Sequence, residues 1–129
     1  MAESDCIFCN LEPDRIISES DYTFTIRDGF PVSEGHTLII PKRHVQSFFE
    51  LQAIEKAAVL QALDEAKEAL DKEFSPDGYN IGINDGEAAG QTVMHLHMHL
   101  IPRYKGDTED PRGGIRHVFP AKAKYWKEP

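Results

Sequence analysis

The sequence predicts an α+β domain, a mostly antiparallel sheet of about five strands with one face packed on a single long helix. Three observations carry this. Residues 52–74 hold one unbroken helical pattern. Short β-branched and apolar segments lie on both sides of it, separated by Gly, Pro, Asp and Ser. One such segment, His95-Leu96-His97-Met98-His99-Leu100-Ile101, alternates with period two.

The elements follow in order. Residues 6–11 read as a short N-terminal helical turn. Residues 15–19 and 22–27 read as two short strands with a tight turn at 19–21. Residues 28–35, Asp-Gly-Phe-Pro-Val-Ser-Glu-Gly, form a loop by composition. Residues 36–41, His-Thr-Leu-Ile-Ile-Pro, form a strand that the proline ends. In the helix at 52–74, Ile54, Ala57, Ala58, Leu63, Ala66 and Leu70 make the apolar stripe. Glu55, Lys56, Asp64, Glu65, Lys67, Glu68 and Lys72 take the solvated side, and Pro76 stops the helix. Residues 78–84 alternate as a strand and form a hairpin with 92–101 across the Gly/Ala-rich turn 85–91. Beyond Tyr104 the chain is rich in Gly and Pro, with a turn or short helix at 121–126.

The 129 residues suit one domain, taken as 1–129, and 40% hydrophobic residues suffice for a core. No apolar run approaches the ~20 residues of a membrane span. Met1-Ala2-Glu3-Ser4-Asp5 lacks a charged-then-apolar signal pattern. A cytoplasmic protein with no membrane partner is therefore expected. The formal net charge of −8 opposes sequence-independent binding of a nucleic-acid polymer. A nucleotide in a locally positive pocket remains compatible with it.

Alternate residues of a strand share a face, so His95, His97 and His99 line one side while Leu96, Met98 and Leu100 pack behind. Three imidazoles buried without partners would be costly. The strip therefore reads as a metal site, a catalytic strip, or both. One catalytic zinc on all three fails on geometry unless the strand bends. Three same-face residues span about 13 Å, against metal–nitrogen bonds of about 2.1 Å. The loop before the strip carries Gly86 and Gly90, flanked by Asn84 and Thr92. Backbone N–H groups and neutral donors there suit an anion, although a plain turn would use the same glycines. Cys6 and Cys9 are the only cysteines, spaced as two thiolates of a tetrahedral zinc whose remaining ligands come from histidines. A redox pair is the rival, although no strand precedes Cys6.

The histidine run, together with Gly90-Gln91-Thr92-Val93, Asn84, Asp28 and His36-Thr37-Leu38-Ile39-Ile40-Pro41-Lys42-Arg43-His44, resembles the signature of the histidine triad (HIT) family. The likeness is to its bacterial zinc-containing members. It spans residues 6–104 and leaves 105–129 as a C-terminal extension. It implies a HIT-like fold and a homodimer. It also implies a nucleotide hydrolase or nucleotidyl transferase acting at the α-phosphate of dinucleoside polyphosphates or nucleoside phosphoramidates. By this resemblance His97 is the nucleophile, with one ring nitrogen held by a backbone carbonyl, and His99 contacts the phosphate and the bridging or leaving oxygen. Asn84, the Gly90 backbone and Thr92 hold phosphate oxygens, and Gln91 lies near the leaving group. Asp28 accepts from the ribose hydroxyls. Phe8, Ile26 and Phe30 are candidates for an adenine pocket, with plain core packing as the alternative. Structural Zn2+ on Cys6, Cys9, His44 and His95 is implied, with no organic cofactor.

Gln91-Thr92 and Pro102-Arg103 lean toward the Fhit-like branch, and Asn84 and Asp28 toward the Hint-like one. Arg103, Arg112 and Arg116 are candidates for distal phosphates, which tilts the reading toward dinucleoside polyphosphates, with ordinary loop charges as the plainer account. His36 is expected to be a supporting, hydrogen-bonded residue and His117 an exposed one. The alternative to an enzyme is a non-catalytic purine nucleotide-binding module.

Overall fold

The computed structural model describes residues 3–127. Five strands, β1 (Ile16–Glu19), β2 (Thr23–Arg27), β3 (Thr37–Pro41), β4 (Gly78–Gly82) and β5 (Met98–Arg103), form one sheet in the order β1-β2-β3-β5-β4, every neighbouring pair antiparallel. One long helix, α1 (Ala53–Phe74), packs on it. The fold is the expected α+β arrangement.

Period-two alternation in the central strands divides the core between the two sheet faces. Ile39, Met98 and Leu100 face α1 and pack with Val59, Ala62, Ala66 and Leu70. Leu38, Ile40 and Ile26 join Cys6 and Phe8 in a second buried cluster. Leu38 pairs with His99 in the β3–β5 ladder. His99 therefore lies on the side opposite the helix.

Four local expectations need correction. The short N-terminal helix is a single 3-10 turn at Glu3–Asp5, not at 6–11. The Asn10 side chain donates to the carbonyls of Glu3, Ser4 and Cys6 and so holds that segment as a turn. The buried face of α1 runs through Glu55, Val59, Ala62, Ala66 and Leu70, whereas Ile54 is exposed. Glu55 is buried because Arg43 reaches both its carboxylate oxygens, at 2.8 and 3.0 Å. In the tail, 3-10 turns occupy Gly114–Val118 and Pro120–Lys122.

The fourth correction concerns the histidine run. β5 begins only at Met98, so His95 and His97 precede the ladder. The register Ile39↔Met98 would next bring Leu96 opposite Pro41, which has no N–H to donate. Pairing stops there. The Leu96 amide bonds instead to the Val45 carbonyl at 2.7 Å. The run leaves the sheet, and His95 turns into the N-terminal cluster.

Candidate functional site

His95 is fully buried. Its Nε2 lies 2.8 Å from the Pro41 carbonyl. A carbonyl only accepts, so Nε2 carries the proton and Nδ1 keeps a lone pair. That lone pair meets three other donor atoms: Cys6 Sγ at 3.3 Å, Cys9 Sγ at 3.5 Å and His44 Nδ1 at 3.2 Å. Cys9 Sγ is 3.2 Å from His44 Nδ1. The four atoms all lie within 4.8 Å of one another. A tetrahedron with zinc–nitrogen and zinc–sulfur bonds of ordinary length has edges of about 3.3–3.8 Å, so these four side chains fit a zinc ion. The Pro41 carbonyl is the outer partner that a metal-binding imidazole needs. Burial, then the facing Cys6 sulfur, push the Cys9 thiol up to about 11. A bound cation would favour the Cys9 thiolate over the thiol.

His97 follows on the chain, half-buried. Its Nδ1 donates to the His95 carbonyl at 2.9 Å, which leaves the Nε2 lone pair free. The Phe8 ring, held between Cys6 and Cys9, lies 5.0 Å from the His97 ring and 5.9 Å from that of His95. The His97 and His99 rings are 5.2 Å apart. His99 Nδ1 is 2.9 Å from His36 Nε2, and Asp28 Oδ2 is 3.4 Å from the same His36 atom. Burial is the main cause that lowers the pKa of His36, His95 and His99 below the usual imidazole range. All three are neutral near pH 7.

A groove of about 890 Å3 opens beside His99. It is lined by Asn84, Asp85, Ile81, Ile83 and Ile101, and by Ile115, Val118 and Phe119 of the tail. The loop before the histidines is locked by Gln91, which is buried. Its Oε1 accepts from the Gly86 amide at 2.8 Å, and its Nε2 donates to the Gln46 and Val93 carbonyls. Asp85 accepts from the Ser47 hydroxyl and the Phe48 amide. Gly90 turns the loop at φ 95°, a conformation that costs any residue with a Cβ.

The expected site residues therefore divide. His97, His99, Asp28 and His36 form one connected group, and Cys6, Cys9, His44 and His95 another. Asn84 lines the groove, Thr92 and Gly90 are exposed and are not among the residues that line it, and Gln91 is committed to the loop. Phe8 and Ile26 sit in the core cluster, while Phe30 is 90% exposed. The arginines are engaged locally. Arg103 holds Asp107 and Asn80, Arg112 holds Asp110, and Arg116 donates to the carbonyls of Lys122 and Ala123. Sequence reasoning missed Asp85 and the Pro41 carbonyl, and the tail residues Ile115, Val118 and Phe119. The alternation of the histidine run carries no sign of any of them.

The chain is similar to known proteins. A family profile described as "HIT domain" matches residues 10–106. A HIT-like protein of Methanocaldococcus jannaschii is 39% identical over 108 residues, covering 81% of this chain and 83% of that one. The adenylylsulfatase HINT3 of Arabidopsis thaliana is 36% identical over 109 residues, 81% of this chain and 55% of that protein. The crystal structure of a Zn-bound histidine triad family protein from Mycobacterium smegmatis superposes with a TM-score of 0.74 at 32% identity, covering 93% of this chain and 94% of that one.

Proposed function

The chain belongs to the histidine triad (HIT) family, and on that premise we propose that it is a nucleotide hydrolase or nucleotidyl transferase that cleaves at an α-phosphate through a nucleotidyl-His97 intermediate. One observation carries the reading: the His95 carbonyl fixes the His97 proton on Nδ1 and leaves the Nε2 lone pair as the nucleophile. The Nε2 lone pair attacks the α-phosphorus. An N–P bond forms, and the bond to the leaving group breaks with its electron pair going to the leaving atom, an oxygen that departs as an anion or, in a phosphoramidate, a nitrogen that takes up a proton from solvent as it departs. Water then attacks phosphorus, the P–N bond returns its pair to Nε2, and the water proton is released. Asn84, the Gly90 backbone and Thr92 hold the phosphate oxygens, and His99 faces the bridging oxygen. Asp28 takes the ribose hydroxyls, in a single domain spanning 1–129.

Adenosine phosphoramidates, dinucleoside polyphosphates and adenylyl sulfate share this reacting centre. The adenylylsulfatase among the relatives supports an adenylyl group on the attacked side. A structural zinc on Cys6, Cys9, His44 and His95 is part of the reading, supported by the four-atom cluster and the Zn-bound relative. With four protein ligands it has no open position, so the chemistry it supplies is cross-linking of the N-terminal segment to the histidine run. Exposed apolar side chains on the open edge strand β4 (Ile81) and on α1 (Leu60) support a homodimer. No helix among the described residues is long and apolar enough to cross a membrane.

The test is a panel of adenosine phosphoramidate, diadenosine tri- and tetraphosphate and adenylyl sulfate, with mass spectrometry of quenched protein. A nucleotidyl adduct on His97 is expected with at least one of them. Absence of turnover and adduct across the panel, with nucleotide still bound, would establish the binding module instead.

A further inference from the structure

His36 lies outside the histidine run, yet it makes the shortest contact to His99. It is 3% exposed and held on every side. Its carbonyl accepts from the Asp28 amide at 2.9 Å, and its amide donates to the Ser33 carbonyl at 3.2 Å, closing the loop between β2 and β3. Ser33 and Tyr104 tie that loop to β5 through the carbonyls of Pro102 and Glu34. Gly35 sits at φ +90°, where an added Cβ would fall 2.9 Å from Leu70 and 3.0 Å from Phe74. The ring of His36 therefore has one orientation.

That orientation has a chemical consequence. The Val32 amide donates to His36 Nδ1 at 3.2 Å. A backbone N–H cannot accept, so Nδ1 holds the lone pair and the neutral ring carries its proton on Nε2. This Nε2–H points to His99 Nδ1 at 2.9 Å, with Asp28 Oδ2 farther off at 3.4 Å. His99 Nδ1 accepts, so the proton of His99 is left on its own Nε2. Every other assignment sets two N–H groups against each other. Moving the His36 proton to Nδ1 opposes it to the Val32 amide, and placing the His99 proton on Nδ1 opposes it to His36.

The same logic decides what the cluster is. Asp28, His36 and His99 each bring one ligand atom within 4.8 Å of the others. A metal on His36 Nε2 would need the proton on Nδ1, facing the Val32 amide. The cluster is a directed hydrogen-bond chain.

We propose that His36 is a positioning residue that fixes His99 in its Nε2–H tautomer, so that His99 enters the nucleotide site as a neutral hydrogen-bond donor. This rests on the reading that His97 and His99 serve α-phosphate chemistry. The chain then runs Val32 amide, His36, His99, leaving-group oxygen. In a dinucleoside polyphosphate or adenylyl sulfate, charge that builds on that oxygen as the P–O bond breaks meets a preset N–H, and no proton need be transferred. A neutral acceptor at the same place would oppose the departing anion.

The test is 15N NMR of histidine-labelled, ligand-free protein near pH 7. His99 is expected to carry its proton on Nε2 with Nδ1 unprotonated, and a His99 protonated on Nδ1 would overturn the proposal. This readout needs no turnover, so it fails separately from the nucleotidyl-His97 reading. In kinetics, His36→Ala is expected to lower kcat about 10–100-fold with KM little changed. His36→Gln, whose amide can still donate to His99, should recover part of the loss. An unchanged kcat in a folded His36→Ala protein, or an equal loss in both variants, would remove the role.

Discussion

The carbonyl of His95 accepts the Nδ1 proton of His97 at 2.9 Å, while the side chain of His95 turns away into the Cys6–Cys9–His44 cluster. One residue thus belongs to two sites, through its backbone to the candidate nucleophile and through its ring to the candidate metal. His97→Ala removes only the nucleophile. It is expected to lower kcat by several orders of magnitude, while the Kd for an adenine nucleotide, measured by calorimetry, stays within a few-fold. Unaltered turnover would exclude His97 as nucleophile.

The metal cluster predicts a separable effect. Replacing Cys6 and Cys9 together by Ser should take bound zinc from about one per chain to near zero in elemental analysis. It should also lower Tm by roughly 10 °C, the shift that about 3 kcal/mol produces in a domain of this size. The Phe8 ring packs on His97 from between the two cysteines, so turnover should fall more steeply with temperature than in the parent. Full zinc retention would mean that another ligand set holds the metal.

The buried imidazoles set a pH dependence. Burial lowers the pKa of His36, His95 and His99 in the folded chain, so the unfolded chain binds more protons between the folded values and about 6.5. Stability therefore rises with pH through that window and falls as pH drops below about 6.5. Denaturant melts at pH 7.5 and 5.5, run with chelator so that metal release adds nothing, should give the lower midpoint at pH 5.5. The depressed carboxylates, Glu55 and Asp71 among them, add their own loss only at lower pH, once protonation reaches their unfolded range near 4. A midpoint independent of pH between 5.5 and 7.5 would contradict the burial of these rings.

Particular residues mark how much of this was legible in the sequence. The central strands could be read because Leu38, Ile39 and Ile40 are buried on both faces and end at a proline, and α1 because its pattern is long and stopped at Pro76. The break at Met98 could not, because it depends on which residue of β3 stands opposite Leu96, and register is a tertiary property. Glu55 read as solvated because a carboxylate on a helix usually is. Its burial depends on Arg43, twelve residues away on the chain. Alternation marked the histidines of the run, spacing marked the cysteines, and resemblance marked Asp28 and His44. The direction of each ring's proton comes from backbone groups at Pro41, Val32 and His95, which carry no side-chain signal.

Glu55 also predicts a stability effect. Its carboxylate accepts from Arg43 Nε and Nη2 and from the Gln52 amide at 2.8 Å, so it caps α1 while it pairs the cation. Glu55→Ala is expected to cost about 1–2 kcal/mol, since it removes the side-chain cap of α1. Arg43 precedes His44, so zinc affinity should weaken in the same variant, as competition with a chelator would measure. A melt equal to the parent's would show that water replaces the carboxylate at no cost.

Gln91 separates two ways in which a residue beside the nucleophile can matter. A side chain that only contacts the leaving group can be removed with little effect on folding, and its loss appears in kcat. Gln91 makes three internal bonds, from the Gly86 amide and to the Gln46 and Val93 carbonyls, and is 3% exposed. Gln91→Glu keeps the shape and the acceptor for Gly86 but turns the second donor into an oxygen facing two carbonyls. It should therefore destabilise by about 2–3 kcal/mol, and Gln91→Ala, which leaves all three groups unpaired, by at least as much. The Gly86–Gln91 turn leads directly into the histidine run, so kcat should fall in both variants in step with Tm. If Gln91→Ala instead lowers kcat with Tm unchanged, the side chain acts on the leaving group and its bonds within the loop contribute little.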